Sequence, residues 1–249
     1  MIIRLRELER IRLRRGVLIQ GLPGIGLVGK MAVDYIIREL KLPKVAELYS
    51  EGFFLHGGNV GVLVDERAVL KLPTYDFHLY RGGERDLIFL TAPVQPVSWT
   101  QYEVAEHVLD YFQSAGGVEV VGVCGTTMGD GPGVYFATAS AEVADELVKL
   151  GFKPSPGGVI TGACGLLPAL AALRGLKAYV LMGYTTRVEP DPAAAKLLVQ
   201  ALCRLYGLKV DLKNLDLLIE ELKRREAEML KALREAARER RGEAPPFYV

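Results

Sequence analysis

A chain of 249 residues that is 50% hydrophobic and 24% charged is long enough to enclose one large core without a second domain. Its 31 basic and 30 acidic side chains leave a formal net charge of +1, so no bulk charge favours nucleic acid or an acidic membrane as a partner. Cys124, Cys164 and Cys203 lie far apart, with neither a disulfide framework nor zinc-ligand spacing, and read as free thiols of a reducing cytoplasm. No run of about 18 apolar residues suggests a membrane span.

The chain opens on Arg4, Arg6, Arg10, Arg12, Arg14 and Arg15 set against Glu7 and Glu9. This segment lacks the apolar stretch of a signal peptide. It also lacks the interleaved aromatic residues of a nucleic-acid surface, so a solvated face is the plainer reading. From Val17 onward, β-rich runs alternate with amphipathic stretches of helical length. The pattern predicts an α/β fold of three layers, with helices on both faces of a mixed, mostly parallel sheet. Strands are expected at Val17–Gln20, Val45–Tyr49, Val60–Val64, Ala68–Leu72, Leu87–Thr91, Val118–Val123 and Ala178–Met182. The pair flanking Asp65-Glu66-Arg67 is expected to form a hairpin that makes the sheet mixed. Helices are expected at Leu27–Leu40, Thr100–Ser114, Ser140–Leu150, Gly165–Arg174 and Pro192–Tyr206, the last capped by Asp191.

Between the first strand and the first helix lies Gly21-Leu22-Pro23-Gly24-Ile25-Gly26-Leu27-Val28-Gly29-Lys30-Met31. Gly24, Gly26 and Gly29 fit the G-x-G-x-x-G of a dinucleotide site, and Glu47 falls roughly where the ribose-binding acid belongs. Gly24 with Gly29-Lys30 has P-loop spacing, but Met31 stands where a serine or threonine hydroxyl must reach magnesium. One reading is therefore a nucleotide or phosphate compound held by Gly24, Gly26, Gly29 and Lys30 at a helix N-terminus. The plainer reading is a tight corner whose glycines let the helix pack closely.

Catalytic patterns are sparse. His56, His78 and His107 are scattered, and no G-x-S-x-G order occurs. The run Cys124 to Gly133 follows a strand and reads as a flexible loop, with a pocket lining as the alternative. Glu189 and Asp191 more simply begin a helix than form a catalytic pair. Neither a metal site nor a cofactor is expected.

Beyond Gly207, Leu212–Arg241 carries Leu215, Leu218, Leu222, Met229 and Leu233 on one stripe and predicts a long amphipathic helix. The stripe must bury itself on the parent domain or on another copy of the chain. Gly242 and Pro245-Pro246 end the helix and leave an extended arm finishing in Phe247-Tyr248-Val249. The expected division is a core over residues 1–210, a helix over 211–241 and a tail over 242–249.

Four blocks occur in order: Gly21 to Gly29, Thr91-Ala92-Pro93-Val94-Gln95-Pro96, Ile160-Thr161-Gly162-Ala163-Cys164-Gly165-Leu166-Leu167 and Asp191-Pro192-Ala193-Ala194-Ala195. Together they resemble the archaeal proteasome assembly chaperone family. The resemblance implies a phosphorylase-like α/β fold, a cytoplasmic homo-oligomer such as a tetramer or pentamer, and no catalysis, cofactor or ATP requirement. Phe247-Tyr248-Val249 is similar to the hydrophobic-Tyr-X tails by which proteasome activators dock on the 20S core particle. By that likeness Phe247, Tyr248 and Val249 are the partner-binding residues and the core particle's α-subunits are the partner.

Overall fold

The computed structural model describes residues 2–55 and 58–242, with side-chain environments through residue 233. It divides into two compact units, residues 1–210 and 211–249.

The larger unit holds β1 (Ile3–Glu7), β2 (Gly16–Gly21), α1 (Val28–Glu39), β3 (Lys44–Ser50), β4 (Leu63–Val64), β5 (Leu70–Lys71), β6 (Thr74–Tyr80), β7 (Leu87–Thr91) and α2 (Gln101–Ser114). It continues with β8 (Gly117–Thr126), β9 (Val134–Thr138), α3 (Ala141–Lys149), β10 (Lys153–Pro154), α4 (Ala163–Leu173), β11 (Lys177–Tyr184) and α5 (Pro192–Tyr206). Among the described residues, nine strands form one sheet in the order β1-β3-β6-β7-β2-β8-β11-β9-β10. The central block β7-β2-β8-β11 is parallel, while β6, β3 and β1 on one flank and β9 on the other join antiparallel.

The central strands read as continuous apolar runs because both their faces are covered. Leu18, Ile88, Leu90 and Val120 face α2 and α4 and share one core cluster with Val104, Val108, Leu109 and Leu167. Val17, Ile19, Val121 and Val123 alternate to the opposite face, where α1 and α5 present Ala32, Val33, Ile36, Leu198 and Val199, all fully buried. Complete burial of the valine, leucine and isoleucine side chains among them contributes about 1.5–3 kcal/mol each.

Most strand and helix expectations hold, and the deviations have physical causes. The hairpin exists, but as the short separate ladder Leu63↔Lys71 and Val64↔Leu70. It is not what makes the main sheet mixed; β6, β9 and β1 are. Strand β6 alternates buried Tyr75, Phe77 and Leu79 with half-buried neighbours, a period-2 signal that the strand expectations above omit. Strand β1 is a charged edge whose Arg and Glu side chains face solvent, the usual protection of an edge strand. Within Cys124–Gly133, Cys124 to Thr126 continue β8 rather than forming a loop, and Asp130 is clasped by the Tyr135 hydroxyl and by Lys153 Nζ at 2.9 Å. Those bonds, Tyr135's first, hold the Asp130 carboxyl down at about 2.

Helix α4 begins two residues earlier than expected and contains Pro168. Proline has no N–H to offer the Cys164 carbonyl four residues back. That carbonyl lies instead against the bare Cα of Gly122 on β8, where any side chain would collide with it.

The smaller unit consists of α6 (Lys213–Gly242), which starts with Asp211 Oδ1 accepting the Lys213 N–H at 2.9 Å. Leu217, Leu218, Met229, Leu230 and Leu233 are exposed along it, and Arg225 pairs with Glu221 one turn back. No described helix is long and apolar enough to cross a membrane.

One buried charge cluster ties α5 to the sheet. Glu119 on β8 receives Arg85 Nη1 at 2.6 Å, the Tyr206 hydroxyl at 2.7 Å and the Tyr179 hydroxyl at 3.1 Å. Burial, reinforced by the Glu119 charge, pushes both phenols above their ordinary range and keeps them protonated as donors. Glu119→Ala leaves Arg85 and both hydroxyls without their acceptor; urea unfolding is expected to show a loss of about 3–5 kcal/mol, against about 1 kcal/mol for Tyr206→Phe.

Candidate functional site

The motif blocks lie far apart in sequence and meet in space. Strands β2, β7 and β8 run parallel, so the chain leaves each of them at the same carboxyl edge of the sheet. Ligands of open α/β sheets bind outside this edge.

Gln95 links two blocks to its own. Its Nε2 donates to the Pro23 carbonyl, and its Oε1 accepts the Ala163 N–H at 3.1 Å. Ala163 opens α4 behind Gly162, whose φ of 79° is left-handed and whose missing side chain makes room for the Gln95 amide. The last block closes on the first through the Asp191 N–H, which reaches the Gly26 carbonyl at 2.9 Å. Asp191 Oδ1 accepts the Ala193 and Ala194 amides at 3.0 and 3.1 Å, capping α5 as its sequence predicts. Its Oδ2 accepts the Thr185 hydroxyl at 2.7 Å.

The glycine-rich turn follows a tight course. Gly26 has φ 58° and Leu27 φ 49°, and α1 then starts at Val28 with no side-chain cap. Gly29 sits directly on β8, where a Cβ would run into the Val123 carbonyl and close on the Cys124 Cα. A Cβ on Gly21 would meet the Gly29 carbonyl and Val33. Gly24, by contrast, is extended at φ −169° and faces open space. Lys30 does not reach back over the turn. Its ammonium pairs with Asp34 Oδ2 at 2.8 Å and donates to Thr91 Oγ1 at 3.3 Å, while the Thr91 hydroxyl donates to Asp34 Oδ1 at 2.5 Å.

Glu47 is not placed for a ribose. It stands on β3, separated from β2 by β6 and β7, and is engaged by Arg6 at 3.3 Å and Lys44 at 3.0 Å. The other candidates do not converge. His78 Nδ1 lies 3.1 Å from the Leu42 carbonyl and His107 Nδ1 2.9 Å from the Glu103 carbonyl. His56 lies outside the described residues. Among the described residues no cluster of His, Cys, Asp and Glu is arranged to hold a metal. Cys164 is buried beside Cys124, and burial first, then that neighbour, pushes its thiol well up. Gln20, at the end of β2, is buried with neither amide atom hydrogen-bonded among the described residues. Ile25, Trp99 and Val188 are exposed on the connecting segments, and Tyr102 in the first turn of α2.

The model of the PAC2 family matches residues 18–230. The chain belongs to the PAC2 family. An uncharacterized protein of Methanocaldococcus jannaschii is 30% identical to this PAC2 chain over 239 residues, 88% of each sequence. The crystal structure of Pyrococcus furiosus PbaB, an archaeal proteasome activator, superposes with a TM-score of 0.81 at 32% identity, covering 93% of this chain and 98% of that one. Pyrococcus furiosus PbaA, an archaeal homolog of a proteasome-assembly chaperone, gives a TM-score of 0.74 at 28% identity, covering 94% and 97%. The residues expected to bind a partner, Phe247, Tyr248 and Val249, lie outside the described part of this PAC2 chain.

The two kinds of glycine separate experimentally. Gly29→Ala is expected to cost about 1–3 kcal/mol by overpacking α1 on β8, read as a lowered urea midpoint. Gly24→Ala is expected to stay within about 0.5 kcal/mol of the parent chain.

Proposed function

We propose that this chain is a proteasome-associated protein, an assembly chaperone or an ATP-independent activator, which docks on the α-ring of the 20S core particle through its C-terminal tail. One combination carries the reading: a likeness to the activator PbaB over 93% of the chain, joined to the terminal sequence Phe247-Tyr248-Val249. The likeness to PbaA supports the same class of partner.

In this reading the tail enters a pocket between neighbouring α-subunits. The Val249 carboxylate pairs with a pocket lysine, Tyr248 packs on the wall and offers its hydroxyl, and Phe247 buries apolar surface. The consecutive prolines Pro245 and Pro246 restrict the backbone freedom of this segment and so reduce the ordering entropy lost on docking. Helix α6, with 30 residues, is about 45 Å long at 1.5 Å per residue. In sequence it joins the core to the tail.

A three-residue tail binds weakly alone. A homo-oligomer presents several tails to one ring, and the second engages at the high effective concentration set by the first. Catalysis has no part in this proposal. Binding is driven by the carboxylate, the aromatic side chains and avidity.

Purified core particle and the full-length chain are expected to associate in sedimentation or surface-binding measurements. Loss of Phe247 to Val249 should abolish the association, and Tyr248→Ala should weaken it at least tenfold. Equal binding by the parent chain and the truncated chain would refute tail docking.

A further inference from the structure

The opposite edge of the sheet carries a second feature. Strands β2, β7 and β8 start there, and the segment from Arg10 to Arg15 crosses in front of them. Its backbone is fixed from both sides: the Leu13 N–H reaches the Ala115 carbonyl at 2.7 Å, and the Arg14 N–H reaches Asp86 Oδ2 at 2.8 Å. The Asp86 N–H returns to the Arg14 carbonyl at 3.0 Å. A concavity of about 620 Å³ opens here, lined by Arg12, Leu13, Arg14, Arg81, Gly82, Gly83 and Asp86.

Its charges do not balance. Arg85 nearby is committed to Glu119 at 2.6 Å. Asp86 alone faces the lining arginines, with Arg14 Nη2 at 3.9 Å and Arg81 Nε at 4.0 Å, both beyond hydrogen-bond length. The guanidiniums are positioned by main-chain carbonyls instead: Arg14 Nη2 donates to Gly83 at 2.5 Å and Arg81 Nη2 to Arg12 at 3.2 Å. The Arg12 guanidinium has no partner among the described residues. Three cations and one buried carboxylate leave an excess of about two positive charges around an open hollow. Arg14 and Arg81 keep 64% and 49% of their side chains exposed, so their unused donors are accessible.

We infer that this amino-edge hollow binds an extended phosphate chain, either free polyphosphate or the triphosphate of a nucleotide. Guanidinium forks match phosphoryl oxygens in geometry and stay charged at every physiological pH. Three of them spread around a hollow of this size span more than one phosphate group. The hollow lies at the opposite edge of the sheet from the glycine-rich turn.

Isothermal titration of the full chain at low ionic strength, with sodium tripolyphosphate in one arm and ATP in the other, tests the assignment. Saturable binding in either arm is expected. It should weaken at least tenfold in Arg12→Gln/Arg14→Gln, remain unchanged in Arg4→Gln on β1, and decline as salt is raised. Equal affinities identify the phosphate chain as the recognised part; tighter ATP binding, lost in the same double variant, identifies a nucleotide as its source. No saturable binding in both arms, binding that survives in the double variant, or an equal loss in Arg4→Gln would overturn it. Arg81→Gln, outside the basic segment, should show the same loss and replaces the double variant if that does not fold.

Discussion

The close approach of α1 to β8 sets the geometry of the whole carboxyl edge. At Gly29 the helix backbone lies against the Val123 carbonyl with no space for a Cβ, and Gly21 stands aside for Val33 in the same way. Because α1 is pressed against the sheet there, the turn that feeds it must reverse within a few residues, through left-handed Gly26 and Leu27. That turn then exposes the Pro23 and Gly26 carbonyls to Gln95 and to the Asp191 N–H. The four motif blocks are thus four sides of one packing problem. Gly122 plays the matching part under α4, so helices on both faces approach β8 at glycines.

This arrangement assigns different tasks to different parts of the chain. The core is braced by the Gln95 bridge at one edge of the sheet and by the Glu119 cluster at the other. Its buried polar groups are mostly committed to structural partners, and its described histidines and cysteines form no catalytic set. Helix α6 is a separate unit with exposed apolar residues along its length, and the terminal tripeptide carries the groups that the proposed docking requires. A braced core followed in sequence by a separate amphipathic helical unit suits a protein that acts by presenting a binding segment.

Much of the fold was legible in the sequence because the central strands are buried on both faces and read as plain apolar runs. The cap at Asp191, the corner at Gly21 to Gly29 and the long final helix each follow from residue types with a specific backbone role. Strand β6 carried a legible signal, with Tyr75, Phe77 and Leu79 alternating with Asp76 and His78 between Pro73 and Gly82-Gly83, and the strand expectations omitted it. Strands β1 and β9 are flank strands whose pairing depends on distant partners, which no local pattern reveals. At the site, the glycines announced themselves, whereas Gln95 gave no sign of its bridging role. Its partners, Pro23 and Ala163, lie 72 and 68 residues away. The arginine hollow was visible only as a charged segment, because Arg81 and Asp86 come to it from another loop.

The central claim is that the chain reaches its partner through a free C-terminal carboxylate beside Tyr248. One added residue tests it most directly, because a glycine appended after Val249 leaves Phe247 and Tyr248 in place and moves only the charge. Binding of this extended chain to purified 20S core particle, compared with the parent by surface plasmon resonance, is predicted to fall at least tenfold. Undiminished affinity would contradict the account.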